Sequence, residues 1–532
     1  MYVLFTVVHP AVLTQEQGAS SKTSYSGPSE DQSSSSASTS TAPVTPTEGI
    51  IAPLPRKINE KQSSLSSFIR RLLNDRKTQE IHNDLVNLLI KNYLPIQLVD
   101  NEYFRSFVEK LNSNYQVRSR KTIANTLLPQ LHNMARDNVR NSLDSINACC
   151  ITTDGWTSCA NKSFISVTAH YVTKDIKMKS SLLDCYEYSD RHTAENLCKE
   201  LKRICREWNI ANKIIAVASD NASNIVAAIK ITGWKHVPYF AHNLNLIIQS
   251  ALEVNGIAQM QNKIKKIVTF FKHSTQACNK LTAMQIQLSK PVLSLKQDCI
   301  TRWNSTFDMF NRILQVKDSL MSVIAINYPM EISNIDNNDI IIIQGICNIL
   351  KVFKDVTEEM SCEKQVTAST VILLSAALRK YCANYLKTNL NAPPEVKELG
   401  QKLLDNLNTR FHLIEDHKIY AKATFLDPRF KRQGFSKDLA FEAAKQSLIA
   451  QVAVMIDLER DLEQERPGNI NAVESQANGD NDPKISIWKD FDEKVGNLVQ
   501  KSNPKAAAII EVNKYIEEPL QPRKHDPLEW WT

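Results

Sequence analysis

The sequence predicts an α/β domain set between helical regions, on three observations. Strand-like runs cluster between residues 148 and 240, and helical spacing dominates on both sides of them. One of those runs, Ile214-Ile215-Ala216-Val217-Ala218, has the continuous apolar character of a central parallel strand. The 532 residues leave room for about two to four domains. Hydrophobic residues at 42% and charged residues at 23% exclude a membrane protein, a collagen and a wholly disordered chain. With 12 Gly, and neither GxGxxG nor GxxxxGK[ST], folds built on several Gly-rich phosphate loops are disfavoured. The net charge of +7 is mild; it permits an acidic partner without pointing to one.

Cysteine usage predicts a reducing, intracellular setting: 11 Cys are scattered, with no CxxC pair. The opening Met1-Tyr2-Val3-Leu4-Phe5 is apolar but lacks a basic region before it. No apolar run approaches the ~18 residues of a membrane span, so no membrane partner is expected.

From the N-terminus, residues 1–61 include a Ser/Thr-rich stretch with little to bury and read as a disordered tail. Residues 62–145 read as a helical module, from Leu65, Phe68, Ile69 and Leu72 through Ile81, Leu85, Leu88 and Leu89. Helices are expected at 103–112 and 120–145, and the cluster Arg118, Arg120 and Lys121 reads as a solvated face. Residues 146–256 form the α/β core. Strands are expected at 148–153, ending at Asp154-Gly155-Trp156, then at 164–171 and 179–187. A helix from Thr193 to about Trp208 leads to the strand at 214–218, which ends at Ser219-Asp220-Asn221. A short strand at 237–240 then feeds a helix starting near His242. Residues 257–500 read as mainly helical, with a polar linker at 463–484 and a short amphipathic helix at 488–499. Residues 501–532 close the chain with Trp530-Trp531.

The chemistry concentrates at two aspartates. Asp154 and Asp220 each follow an apolar strand, and parallel neighbours ending in carboxylates would offer the oxygen ligands that Mg²⁺ prefers. The competing reading makes them turn and helix-cap residues, for which Asp220-Asn221 is well suited. Lys263, Lys265 and Lys266 form a basic patch read as a solvated helix face.

Motifs along the chain add a resemblance. Cys150-Ile151-Thr152-Thr153-Asp154-Gly155-Trp156-Thr157-Ser158 resembles the first-aspartate motif of hAT-superfamily transposases, and Ala218-Ser219-Asp220-Asn221-Ala222-Ser223-Asn224 resembles the second. His192-Thr193-Ala194-Glu195-Asn196, Ala241-His242-Asn243-Leu244-Asn245-Leu246, Thr301-Arg302-Trp303-Asn304-Ser305 and the segment from Ala423 to Lys431 are similar to further family blocks. Tyr515 through Trp531 resembles the entrance to the family's C-terminal dimerisation region. The subgroup most resembled is that of zinc finger BED domain-containing host proteins.

The resemblance implies an α/β, RNase H-like fold with a large all-α insertion and a helical N-terminal module. It implies that Asp154 and Asp220 hold two positions of a DDE metal site, vestigial here. Trp303 matches a Trp that stacks on a flipped base, with a buried core Trp as the other reading; Arg302 precedes it. His242 matches a residue lying near DNA, but Tyr239 stands where that block has Cys, which favours a plain helix-start His. The family's catalytic Glu is expected beyond Trp530-Trp531, and no Cys precedes Cys149 to build a BED finger. The expectation is therefore a nuclear, non-catalytic protein with no cofactor and no intact zinc finger, binding DNA, a protein partner or a second copy of itself. The alternative is a Mg²⁺-dependent DNA transposase or nuclease whose sequence here is incomplete.

Overall fold

The computed structural model describes residues 73–362, 365–464 and 503–532. The expected tail at 1–61, the start of the helical module, most of the 463–484 linker and the 488–499 helix lie outside these residues. The chain divides into two compact units, meeting between Asn141 and Ser142.

The N-terminal unit is helical. α1 (Asp75–Lys91) starts where the Asn74 side chain accepts the Arg76 N–H. It buries His82, Leu85, Val86 and Leu89 at helical spacing. After a 3₁₀ turn (Ile96–Asp100) comes α2 (Glu102–Leu111), whose cap Asn101 accepts from Phe104. α3 (Arg120–Thr122), capped by Ser119, runs through a π-helical turn (Ile123–Leu127) into α4 (Leu128–Asp144). Leu85, Val86, Leu89, Val99, Ile123 and Leu127 make the core. Arg118 is not simply a solvated charge: its Nε donates to His82 Nε2 at 3.0 Å.

The second unit carries a five-stranded sheet in the order β3-β2-β1-β4-β5. β1 (Cys149–Thr157), β2 (Ser163–Val172) and β3 (Met178–Glu187) form an antiparallel meander. α5 (Ala194–Glu207) then crosses to β4 (Ile214–Ser219), which lies parallel to β1. α6 (Ser223–Thr232) leads on to β5 (Lys235–Pro238), parallel to β4. α5 shows why a helix forms there: Thr193 accepts the Asn196 N–H, and Leu197, Leu201 and Ile204 recur on the buried face. α6 stops at Gly233, whose φ of +85° is the left-handed conformation glycine adopts without strain.

β1 departs from the expected strand. It continues through Asp154-Gly155-Trp156 to Thr157, because antiparallel pairing with β2 persists as far as Thr157 opposite Ser163. Its parallel pairing with β4 ends earlier, at Thr152 opposite Ala218. Asp154 therefore stands within a strand, not beyond it.

Helices complete the unit: α7 (Phe240–Leu252), α8 (Asn255–His273), α9 (Thr275–Gln287), α10 (Trp303–Asn327), α11 (Asn337–Met360), α12 (Val371–Thr388), α13 (Pro394–Phe411), α14 (Lys418–Leu426), α15 (Asp438–Gln464) and α16 (Pro504–Glu517). α7 begins at Phe240, two residues before the expected start at His242. One hydrophobic core runs from Cys150, Ala216 and Val237 of the sheet through Ile247, Phe310, Phe353 and Phe425 to Val512 and Leu528. The described part of the C-terminal segment is tied down by Lys431, whose ammonium donates to the Glu518 carbonyl at 2.9 Å and lies over the Tyr515 ring at 4.3 Å. Contrary to expectation, α15 has a stretch, Asp438–Asp457, long and apolar enough to match a membrane span. Its Ala440, Phe441, Ala444, Leu448 and Ile449 are buried in the common core, while Leu439, Val454 and Met455 are exposed.

Candidate nucleic-acid interface

The β1/β4 register fixes the geometry of the site. Thr152 pairs with Ala218, so Asp154 and Asp220 each lie two residues further along neighbouring parallel chains spaced about 5 Å apart. Along β1 burial is complete from Cys149 to Thr153 and falls away at Asp154. The apolar strand is thus anchored in the core while its carboxylate reaches the surface. Both aspartates line two cavities, one on each side of them.

Asp220 does only part of a capping residue's work. Its Oδ1 accepts the Ala222 N–H at 3.2 Å, closing a turn, while α6 takes Ala222 as its own cap without a side-chain bond. Oδ2 has no hydrogen-bond partner among the described residues. The turn reading and the ligand reading of Asp220 are therefore compatible, one oxygen serving each.

The first cavity, of about 220 Å³, is lined by Asp154, Asp220, Tyr239, His242, Asn245 and the Thr301-Arg302-Trp303-Asn304 turn. Asp154, Asp220, His242, Arg302 and Trp303, the site residues expected from the sequence, all line it. Asn245 on α7 accepts the Trp303 N–H at 3.1 Å, and Gln249 donates to the Ile300 carbonyl at 2.9 Å, so α7 holds the turn that opens α10. Trp303 is 2% exposed and packs edge-on to Phe307 at 6.4 Å. In this conformation it is a core residue bordering the cavity. His242 sits half-buried in the first turn of α7, and Arg302 is half-buried beside Trp303. Asn304 contributes a buried Oδ1 that has no hydrogen-bond partner, an acceptor aimed at nothing in the protein.

Tyr239 stands where the resembled family block has Cys. Its hydroxyl donates to the Thr153 carbonyl at 3.1 Å, one residue before Asp154. Burial, followed by the negative charge of Asp154, pushes its pKa well above the ordinary tyrosine value, and Asp220 adds to the effect. The phenol thus braces the end of β1 beside the two carboxylates.

The second cavity, of about 380 Å³, is lined by Trp156, His192 and Asn224, which the motifs contain without an expected role, and by Ser163, which lies outside them. Trp156 is 36% exposed and stacks on Phe164 at 5.7 Å across the β1–β2 pair. His192 Nε2 meets Ser163 Oγ at 2.8 Å. The signal was present in the alternation of β1 and β2, which sets Trp156 opposite Phe164.

The basic patch on α8 resolves differently from its expectation. Lys263 pairs with Asp339 and Lys265 with Asp298, the latter at 2.8 Å, so two of its three charges are spent on packing helices together. Among the described residues no group of three or more His, Cys, Asp or Glu is arranged to hold a metal.

The family model for the ZBED1 RNase-like domain matches residues 152–233, the segment bearing both aspartates. The model for the ZBED1 RNase-like helical domain matches residues 237–349, the segment bearing Tyr239, His242, Arg302 and Trp303. Zinc finger BED domain-containing protein 4 of Homo sapiens is 22% identical over 467 residues, covering 85% of this chain and 38% of that protein. The Putative AC transposase of Zea mays is 25% identical over 481 residues, covering 83% of this chain and 56% of its own length. The Putative AC9 transposase of Zea mays is 31% identical over 251 residues, or 44% of this chain and 29% of its own. The chain thus spans little more than half, or less, of each of these relatives. The mixed sheet with its helical surroundings and the two family matches fit an α/β, RNase H-like fold.

Proposed function

We propose that this chain, a hAT-transposase-derived and BED-like protein by its RNase-like and helical domains, binds DNA in the nucleus through the edge where β1 and β4 end, without cutting it. The observation that carries the reading is the convergence of Asp154, Asp220, Tyr239, His242, Arg302 and Trp303 on one cavity, from β1, β4, α7 and α10. Arg302 supplies a guanidinium for a phosphate, and Asn304 an unsatisfied acceptor for a base or sugar donor. The non-catalytic part rests on the carboxylates: two-metal phosphoryl transfer needs more than a pair, and among the described residues no third acid joins Asp154 and Asp220. Affinity dominated by phosphate contacts falls steeply with salt. A gel-shift series on the purified chain tests this, and the absence of any DNA complex at low salt would remove the DNA reading.

A second reading is favoured by the retained carboxylate pair itself. Asp154 and Asp220 offer hard oxygen donors suited to Mg²⁺, with Asp220 Oδ2 unengaged, so the residues fit one cation. Bound there, the ion would supply charge neutralisation at a phosphate oxygen. Asp220 would hold it while the Ala222 N–H keeps the carboxylate turned, and Tyr239 would fix the β1 end. On this reading Mg²⁺-dependent nicking of a supercoiled plasmid appears and is lost on Asp154→Asn. Self-association is the remaining proposal, for which the exposed Val454 and Met455 of α15 and Ile509 and Ile510 of α16 offer apolar surface. Light scattering on the eluted peak reads it directly.

A further inference from the structure

We propose that Lys235, Lys418 and Lys422 form a phosphate-binding site at the β5 edge of the sheet, which takes a backbone phosphodiester of bound nucleic acid. The identification of the ligand as nucleic acid rests on the DNA-binding reading above; the phosphate chemistry does not.

Lys422 carries the argument. It is 8% exposed, yet no hydrogen bond or ion pair joins its ammonium to any described residue. The charges that act on it are those of Lys235 and Lys418, both of its own sign; with burial, the larger cause, they push its pKa down. Its stem is buried while the ammonium emerges among charges of its own sign, an arrangement that is costly unless a counter-charge completes the group.

The backbone explains the convergence. Lys418 is the first residue of α14, and Lys422 follows one turn later on the same face. Side chains on a helix lean toward its N-terminus, so the Lys422 stem runs back toward Lys418. α14 is held against β5 by the Tyr420 hydroxyl, which donates to the Pro238 carbonyl at 2.6 Å. Lys235 begins that same strand and is exposed.

The start of α14 adds to the positive field. His417, its cap residue, makes no side-chain capping bond, and His417 Nδ1 is buried without a hydrogen-bond partner. A helix N-terminus favours anions, so lysines in its first two turns oppose the helix dipole unless an anion sits between them. Two lysines on one helix face, a third from the neighbouring strand and an open helix start together describe a site for a compact, multiply charged oxyanion. Lys235 lies three residues, about 10 Å of strand, from Pro238, and Tyr239, which borders the aspartates, follows next. A strand of nucleic acid engaged at the aspartates would have a phosphate within reach of this cluster.

The test uses the full chain, and two probes separate the sources of phosphate. Thermal unfolding is followed in inorganic phosphate against chloride at equal ionic strength, for wild type and Lys422→Met, which keeps an apolar stem. Wild type is expected to gain Tm saturably with phosphate. Lys422→Met should be at least as stable in chloride, because a like-charge repulsion is gone, and should not respond to phosphate. In a duplex-oligonucleotide salt titration, Lys422→Met should reduce the slope of log affinity against log salt by about one. Should Lys422→Met fail to fold, Lys235→Gln/Lys418→Gln, at two exposed positions, carries the same comparisons. A Lys422-dependent phosphate response without any duplex binding would sink the DNA reading and leave a site for free phosphate. Wild type with no phosphate response, together with an unchanged salt slope in the variant, would overturn the site.

Discussion

Two groups of lysines in this protein treat charge in opposite ways. Lys263, Lys265 and Lys266 are neighbours in sequence and look like a basic patch, yet Lys263 meets Asp339 and Lys265 meets Asp298. Lys235 lies far in sequence from Lys418 and Lys422, and only the docking of α14 on β5 gathers them, with no acid to answer them among the described residues. Charge density in sequence is therefore a poor guide to the field a partner meets. What matters is whether the fold delivers a counter-charge.

The comparison can be pressed hardest at a fully answered pair. Asp427 is completely buried; Arg429 binds it through Nε at 2.9 Å and Nη2 at 2.7 Å, and Ser369 donates to it at 2.6 Å. Asp427→Ala should destabilise the protein by about 3–5 kcal/mol in chemical denaturation, since it removes a fully buried carboxylate and unpairs a largely buried guanidinium. A loss below about 1 kcal/mol would mean that buried pairing matters less here than the contrast assumes.

Next in size is Asp339, which answers Lys263 and also completes the capping box of α11 with Asp336. Asp339→Ala removes both and should cost about 1–2 kcal/mol, mostly through the cap. DNA affinity should stay unchanged. Increased DNA binding, from a released Lys263, would show that the pair masks a basic surface.

The N-terminal unit offers a titration. His82 meets the Tyr115 hydroxyl at 2.8 Å and accepts from Arg118, and burial, then the Arg118 charge, lower its pKa from 6.5. A histidine whose folded pKa is depressed binds fewer protons folded than unfolded. Its stabilising contribution is full above about pH 6.5 and is lost as pH falls toward the folded pKa. Amide exchange of α1 should therefore quicken as pH falls below about 6.5, after correction for intrinsic rates, and His82→Gln should flatten that change. The smallest effect is expected from Lys263→Gln/Lys265→Gln/Lys266→Gln, whose DNA salt slope should match wild type within error. A fall comparable to that of Lys422→Met would erase the distinction between the two lysine groups.

Much of the architecture is legible in the residues. The continuous apolar run at 214–218 is a parallel strand beside β1, and Asp154 and Asp220 do become neighbours. Local pattern carries that much because a buried strand must be apolar and its end must turn. Other features depend on contacts distant in sequence. The extension of β1 past Asp154 is set by pairing with β2, and the role of Tyr239 by a bond to Thr153 86 residues away. The burial of Trp303 follows from α7, where Asn245 and Gln249 fix its turn. The gathering of Lys235 with Lys418 and Lys422 follows from Tyr420 and Pro238, 182 residues apart. No periodicity encodes such meetings.

The most direct measurement of the proposed interface is fluorescence anisotropy of a labelled duplex with wild type and with Asp154→Asn/Asp220→Asn, in EDTA at low salt. If phosphates pass the ends of β1 and β4, removing two carboxylates from their path should tighten binding severalfold, and the advantage should shrink as salt screens it. Asn at position 220 can still accept the Ala222 N–H, so the turn should be kept. Equal affinities for the two proteins across the salt series would contradict the interface.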